Sequence, residues 1–210
     1  MLHMTNLVLL VGLADYGDFS PRKVTIWSTN KNTVLCTSWA FNSPIKIAKI
    51  NKKHMALVEG DKLHIYIIEK MERYHTFDVG SVTLGRLVLS SNSEKNNFIC
   101  CSSNSDEGMV RVFDIATRST RTSIKAHKSP ILKIALNYKG NMLATCSCKG
   151  TIIRIFSIPK GEKIITYKRG FYSAYIFCLN FSFDDEKLIS TSDTGTMHVF
   201  DLKKDLEGEE

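Results

Sequence analysis

Two adjacent cations, Lys168 and Arg169 of Tyr167-Lys168-Arg169-Gly170, are the residues best suited to hold an anion. On an extended chain, neighbouring side chains point to opposite sides, so the pair would serve two pockets, one on either side of the junction. Gly170 leaves room there for a close approach or an unusual backbone angle. Hydroxyls and imidazoles recur at matching positions before and after the pair. A first pocket is expected to collect His127, Ser147, Thr151, Arg154 and Lys168, and a second Arg169, Ser192, Thr196 and His198. Hydroxyls donate directionally and a guanidinium gives charge-assisted, often bidentate contacts, a combination that suits phosphate. Histidine adds most when protonated, so affinity is expected to rise as pH falls through about 6–7. Truncating Arg169 to Ala is expected to remove the second pocket with little loss of fold.

The charge pattern agrees with an anionic partner. The net charge is +7, and between Arg121 and Tyr175 eleven Lys or Arg residues face one acid, Glu162. Nucleic acid, an acidic protein or an anionic membrane surface would all be attracted. A solvated face that only confers solubility is the simpler reading of the same stretch. Phe171, Tyr172 and Tyr175, close to the cations, are suited to stacking on bases, to core packing or to dipping into a headgroup region. The chain ends acidic over 203–210.

Catalysis is not expected. Asp184 and Asp185 read as a solvated hairpin tip, His127 has Lys128 beside it and no acid to orient it, and the glycines have no phosphate-loop spacing. The cysteines, at 36, 100, 101, 146, 148 and 178, form no CxxC pair and read as free thiols of a reducing compartment. No metal or cofactor is expected. Leu7–Ala14 is a short apolar run that reads as a strand rather than a signal peptide. No segment approaches the roughly 20 apolar residues that span a bilayer, so any membrane contact would be peripheral.

These residues must be positioned by strands. One pattern recurs, alternating β-branched and polar residues closed by an aromatic: KVTIW at 23–27, KLHIY at 62–66, MVRVF at 109–113, IIRIF at 152–156 and MHVF at 197–200. The aromatics Trp27, Tyr66, Phe113, Phe156 and Phe200 are 39, 47, 43 and 44 residues apart. Further short strands and turns, such as Tyr138–Asn141 and Asp184–Glu186, fill each interval. Four strands per forty-odd residues predict an all-β, WD-repeat-like propeller rather than a sandwich, with 1–210 forming one partial domain. Two residues before each aromatic stands a polar column, Thr25, His64, Arg111, Arg154 and His198, on the same strand face. Local hydrogen bonds or ion pairs are expected for His64 and Arg111.

The stretch AHKSPILKIALNYKGNMLATCSCKGTIIRIFSIPKGEKIITYKRG (126–170), SDTGTMHVF (192–200), and LHMTNLVLLVG followed by SPRKVTIW resemble the PROPPIN family, the WIPI proteins of animals. The similarity runs along the whole chain and is weakest across 71–100. It implies a seven-bladed, non-catalytic propeller. Two pockets for phosphatidylinositol 3-phosphate and the 3,5-bisphosphate flank a Phe-Arg-Arg-Gly motif, whose place is taken here by Tyr167-Lys168-Arg169-Gly170. Lys168, lacking the guanidinium fork, should make the first pocket the weaker. The resemblance also implies cytoplasmic residence with recruitment to phagophore, endosomal or vacuolar membranes. Its implied partners are lipid-transfer or conjugation proteins of autophagosome formation, with no nucleic acid. Protein contacts are expected around Asp15–Ser20 and Asn51–Lys53. The chain is expected to represent blades two to six, the sixth incomplete. A generic WD-repeat platform without lipid specificity is the alternative.

Overall fold

The alternating repeats fold, in a computed structural model, into strands only five or six residues long on average, each bounded by the turns the sequence marks. The structure describes residues 6–13, 20–91, 96–103 and 107–207, the side chains of 36–40 and 207 apart. The chain divides into two compact units, 1–84 and 85–210.

The first unit holds two antiparallel sheets. One comprises β1 (Leu7–Val11), β2 (Lys23–Ser28) and β3 (Thr33–Ala40). The other comprises β4 (Ile45–Ile50), β5 (His54–Glu59), β6 (Lys62–Ile67) and β7 (Glu72–Asp78). Val24, Ile26, Met55, Leu57 and Tyr66 form its core, with Leu7, Leu9 and Val11 of β1 packed against them. Of the strand expected over Leu7–Ala14, β1 covers Leu7–Val11, and Ala14 lies outside the described residues. His64 is paired locally as expected: Nε2 meets Glu59 Oε2 at 3.2 Å and Nδ1 meets Thr76 Oγ1 at 2.9 Å. Asn51–Lys53 is a turn in which Asn51 Oδ1 accepts the backbone N–H of Lys53 and His54. Residues 15–19 of the other expected contact loop lie outside the described residues.

The second unit has three sheets in strand order along the chain. They are β8 (Leu87–Leu89), β9 (Phe98–Cys101), β10 (Met109–Asp114) and β11 (Ser119–Lys125); β12 (Ile131–Leu136), β13 (Met142–Ser147), β14 (Ile152–Ser157) and β15 (Lys163–Lys168); and β16 (Ile176–Phe181), β17 (Lys187–Ser192) and β18 (Met197–Asp201). Adjacent sheets pack face to face. Val110 and Val112 meet Ile131, Ile134 and Phe156, while Ala144, Ile153 and Ile155 meet Ile176, Leu179 and Leu188. Ile131, Leu143, Ile153 and Ile155 are fully buried, a change worth about 1.5–3 kcal/mol each relative to exposure. Leu202–Glu207, at the start of the acidic segment, form a short helix, α1, whose first turn is capped by Asp201 Oδ1 accepting from Lys204 N.

The repeating aromatic marks a repeated irregularity. In four of the five sheets the pairing of the penultimate strand with the last shifts register at the aromatic, between Ile26 and Trp27, Ile65 and Tyr66, Val112 and Phe113, and Ile155 and Phe156. A bulge adds local twist, and beside it consecutive residues such as Val112 and Phe113 are both buried. Thiols follow the packing: Cys100, Cys101 and Cys146 are buried, Cys178 is half-buried and Cys148 is exposed. Burial pushes the Cys146 thiol up to about 12. Among the described residues no helix is long and apolar enough to cross a membrane. Five antiparallel sheets of three or four strands make the fold all-β and consistent with part of a seven-bladed propeller.

Candidate anion-binding site

The β14–β15 hairpin sets the frame, pairing Ile152 with Lys168 and Arg154 with Thr166. Where β15 ends, Arg169 N and Gly170 N both donate to Thr151 O. The Arg169 guanidinium turns inward, Nε donating to Gly150 O at 2.5 Å and Nη2 to Tyr172 O at 2.8 Å. Ala174 N then donates to Lys149 O. Gly150 has φ +64°, and a Cβ there would lie 1.9 Å from Ala174 O, so the 148–151 turn and the 170–174 loop touch backbone to backbone. Only glycine fits that contact.

Lys168 and Arg169 thus diverge as the extended geometry requires, but into unlike surroundings. Lys168 is exposed, whereas Arg169 is only 8% exposed and is spent on two carbonyls. The expectation that Arg169→Ala leaves the fold intact is therefore corrected: the truncation strands two acceptors and frees the loop. Chemical denaturation should show a loss of about 1–3 kcal/mol for Arg169→Ala, with Arg169→Lys recovering part of it.

The residues expected in the first pocket line two neighbouring hollows. His127 and Arg154 line one of about 430 Å³ together with Lys125, Lys128 and Lys163. Thr151 and Lys168 line another of about 310 Å³ with Thr166, Gly170 and Phe171. Ser147 is buried and lines neither. Arg154 Nη1 donates to Ala126 O at 2.7 Å and lies 3.2 Å from His127 Nδ1, and His127 Nε2 lies 3.0 Å from Thr145 Oγ1. Burial, then the Arg154 charge, lower the His127 pKa to about 4. Its ring is neutral at pH 6–7, so the rise in affinity expected from protonation over that range cannot come from His127.

Three members of the second group do converge. Ser192 Oγ lies 2.8 Å from Thr194 Oγ1 and 3.3 Å from Thr196 Oγ1, and Thr196 Oγ1 lies 3.2 Å from His198 Nε2. The turn is tied to the loop at 170–175 by Tyr175 N donating to Asp193 Oδ1 and Asp193 N donating to Tyr175 O. No hydrogen bond joins Arg169 to Ser192, Thr196 or His198 among the described residues. A hydroxyl cluster beside an imidazole offers several rotatable donors to an anion's oxygens.

Two residues of these clusters escaped the sequence reading. Thr194 alternates with Ser192 and Thr196, a spacing that could have revealed it. Thr145, the partner of His127, sits in an apolar run with no such signal. Lys125 and Lys163 were visible only as members of the basic stretch, and Lys128 only as the neighbour of His127.

The PROPPIN family description matches residues 2–208. The chain is 36% identical over 202 residues to Autophagy-related protein 18 of Dictyostelium discoideum, covering 96% of this chain and 53% of that protein. It therefore spans about half the length of the curated relatives it matches. Kluyveromyces lactis Hsv2 superposes with a TM-score of 0.80 at 26% identity, covering 100% of this chain and 62% of that one. KlAtg21, solved in complex with the coiled-coil of AgAtg16, superposes with a TM-score of 0.81 at 27% identity, over 97% and 65% of the two chains. Sequence match, blade-like sheets and a Lys-Arg-Gly junction between two polar clusters agree, and the chain belongs to the PROPPIN family.

Proposed function

We propose that this chain is a non-catalytic binding protein for 3-phosphorylated phosphoinositides, the 3-phosphate and the 3,5-bisphosphate, acting as a scaffold in autophagosome formation. The reading rests above all on one arrangement. Thr151 with exposed Lys168 on one side, and Ser192, Thr194 and Thr196 with His198 on the other, flank a single loop hydrogen-bonded to both turns. Hydroxyls next to a lysine on one side and next to an imidazole on the other suit two phosphorylated headgroups. Two weak contacts held together raise avidity through effective concentration. Arg169 acts by holding the junction, and the hollow lined by His127 and Arg154 adds positive potential from three lysines.

In this reading the five sheets correspond to blades two to six of a single propeller domain. The protein is cytoplasmic and peripherally recruited to phagophore, endosomal or vacuolar membranes. The complex of KlAtg21 with a coiled-coil supports a coiled-coil component of the conjugation machinery as the protein partner.

Flotation tests the proposal: vesicles containing phosphatidylinositol 3-phosphate against vesicles of equal charge made with phosphatidylserine, at physiological salt. Selective binding is expected, with Lys168→Ala weakening it on the order of 10-fold. Equal binding to both vesicles would reduce the site to a basic surface. A folded protein that binds neither would favour the protein-platform alternative.

A further inference from the structure

The loop between the two clusters holds its rings away from the protein. Phe171 is 83% exposed and Tyr172 86% exposed. Aromatic surface left in water is unfavourable, and a slack loop would fold it back. This loop is prevented from doing so. Arg169 holds the carbonyl of Tyr172, Ala174 is bonded to the Lys149 carbonyl, and Gly150 packs on the backbone at Ala174. The Lys168 ammonium lies 3.4 Å from the centroid of the Phe171 ring, so cation and ring share one spot on the surface. No acid occurs between Glu162 and Asp184.

We propose that Phe171 and Tyr172 are a membrane-interface anchor: the two rings enter the boundary between headgroups and acyl chains of an anionic bilayer while Lys168 meets a phosphate above them. This rests on the phosphoinositide reading and adds to it a second, apolar component. Aromatic rings concentrate at that boundary because one end is apolar and the other tolerates water. Lysine keeps its charge at the headgroup level while its stem follows the apolar layer. A projecting pair of rings beside the Lys168 ammonium, with the Asp193 carboxylate engaged by Tyr175 N at the far end of the loop, suits an anionic surface. Its rigidity means that little ordering entropy is lost on docking.

The test uses the full chain, the double variant Phe171→Ser/Tyr172→Ser, the single variant Tyr172→Ser, the fluorescent reporter Phe171→Trp, and two ligands. One ligand is vesicles containing phosphatidylinositol 3-phosphate; the other is the soluble headgroup inositol 1,3-bisphosphate. The double variant should bind vesicles on the order of 10- to 100-fold more weakly, and Tyr172→Ser, which leaves the hollow lined by Phe171 intact, should weaken vesicle binding while its headgroup affinity stays within about twofold of the parent. The indole emission of the Phe171→Trp reporter, after subtraction of the parent, should shift blue and be quenched by shallowly brominated lipids. Undiminished vesicle binding by the double variant, or a vesicle-bound reporter without quenching, would overturn the anchor. Parallel loss of headgroup affinity in Tyr172→Ser would also overturn it, by assigning that ring to the headgroup pocket. Full vesicle binding combined with lost capture of a coiled-coil partner would assign them to a protein contact instead. If the parent binds no vesicles the anchor fails, and the headgroup titration decides separately whether the phosphoinositide site stands.

Discussion

Asp185→Ala should lower the stability of the unit spanning 85–210 by about 3–5 kcal/mol, because it leaves three neutral donors without the buried carboxylate that accepts from them. Asp185 is only 7% exposed. Its Oδ1 accepts from Tyr138 N at 2.7 Å, and its Oδ2 accepts from Asn137 Nδ2 at 3.0 Å and Lys139 N at 3.2 Å. Asn137 in turn accepts from Asn141 N and Met142 N through its own Oδ1, closing the β12–β13 turn. One carboxylate therefore ties the β16–β17 turn to the β12–β13 turn and the two sheets to each other. The expectation of a solvated hairpin tip holds for the exposed Asp184 and is corrected for Asp185. Asp185 also has φ +64°, so part of the cost in Asp185→Ala is backbone strain of about 1–2 kcal/mol. Asp185→Gly removes the carboxylate without that strain and should remain destabilised by the larger share. Asp185→Asn keeps one acceptor and should lie between Gly and the parent. Urea unfolding of the three variants gives the order. A glycine variant as stable as the parent would show that the clamp contributes nothing.

The second large effect is on pH. His127 binds its proton near pH 4 in the folded chain, against an ordinary histidine value of 6.5. Between these values the unfolded chain carries the proton and the folded chain does not, so stability rises with pH across that window. It is fully present above pH 6.5 and is lost as pH falls towards 4, by on the order of 3 kcal/mol in total at about 1.4 kcal/mol per unit. The cause is geometric: the ring is buried, with Arg154 Nη1 at Nδ1 and Thr145 at Nε2. His127→Gln should flatten the dependence of unfolding free energy on pH. His54 and His64, whose pKa values burial also lowers, lie in the other unit and contribute equally to both proteins. Should the variant fold poorly, the ring proton of His127 followed by NMR gives the same answer. Titration near the ordinary value would overturn the assignment, and no titration above about pH 5 would support it.

The repeats were legible because the strands that carry the aromatics bury residues at alternate positions, as in β2, β10 and β14, and because Gly and Asp mark their turns. The aromatic column could be read for the same reason, and His64 with Glu59 and Thr76 shows how reliably a polar residue inside such a strand finds partners. The bulges beside those aromatics left no trace in the sequence, since a register shift depends on pairing with the following strand. The candidate site was legible along strands and poorly across them. Alternation gives the face of Arg154 and of Lys168. It does not say that the guanidinium of Arg154 is drawn to the Ala126 carbonyl and His127, which separates it from Lys168. In the same way it distinguishes Lys168 from Arg169 by side, and is silent on which of them is buried. Ser192 and Thr196 were found because one short turn presents them together with Thr194.

The division of the thiols has a practical consequence for these experiments. Cys100, Cys101 and Cys146 are shielded by packing, and among the described thiols Cys148 alone is exposed. It stands in the turn whose next residues, Lys149 and Gly150, carry the backbone that docks the aromatic loop. Among the described thiols a maleimide dye would attach there first, without any engineered residue. Its fluorescence would report the arrival of a bilayer at the Thr151–Lys168 hollow while the rings themselves remain native.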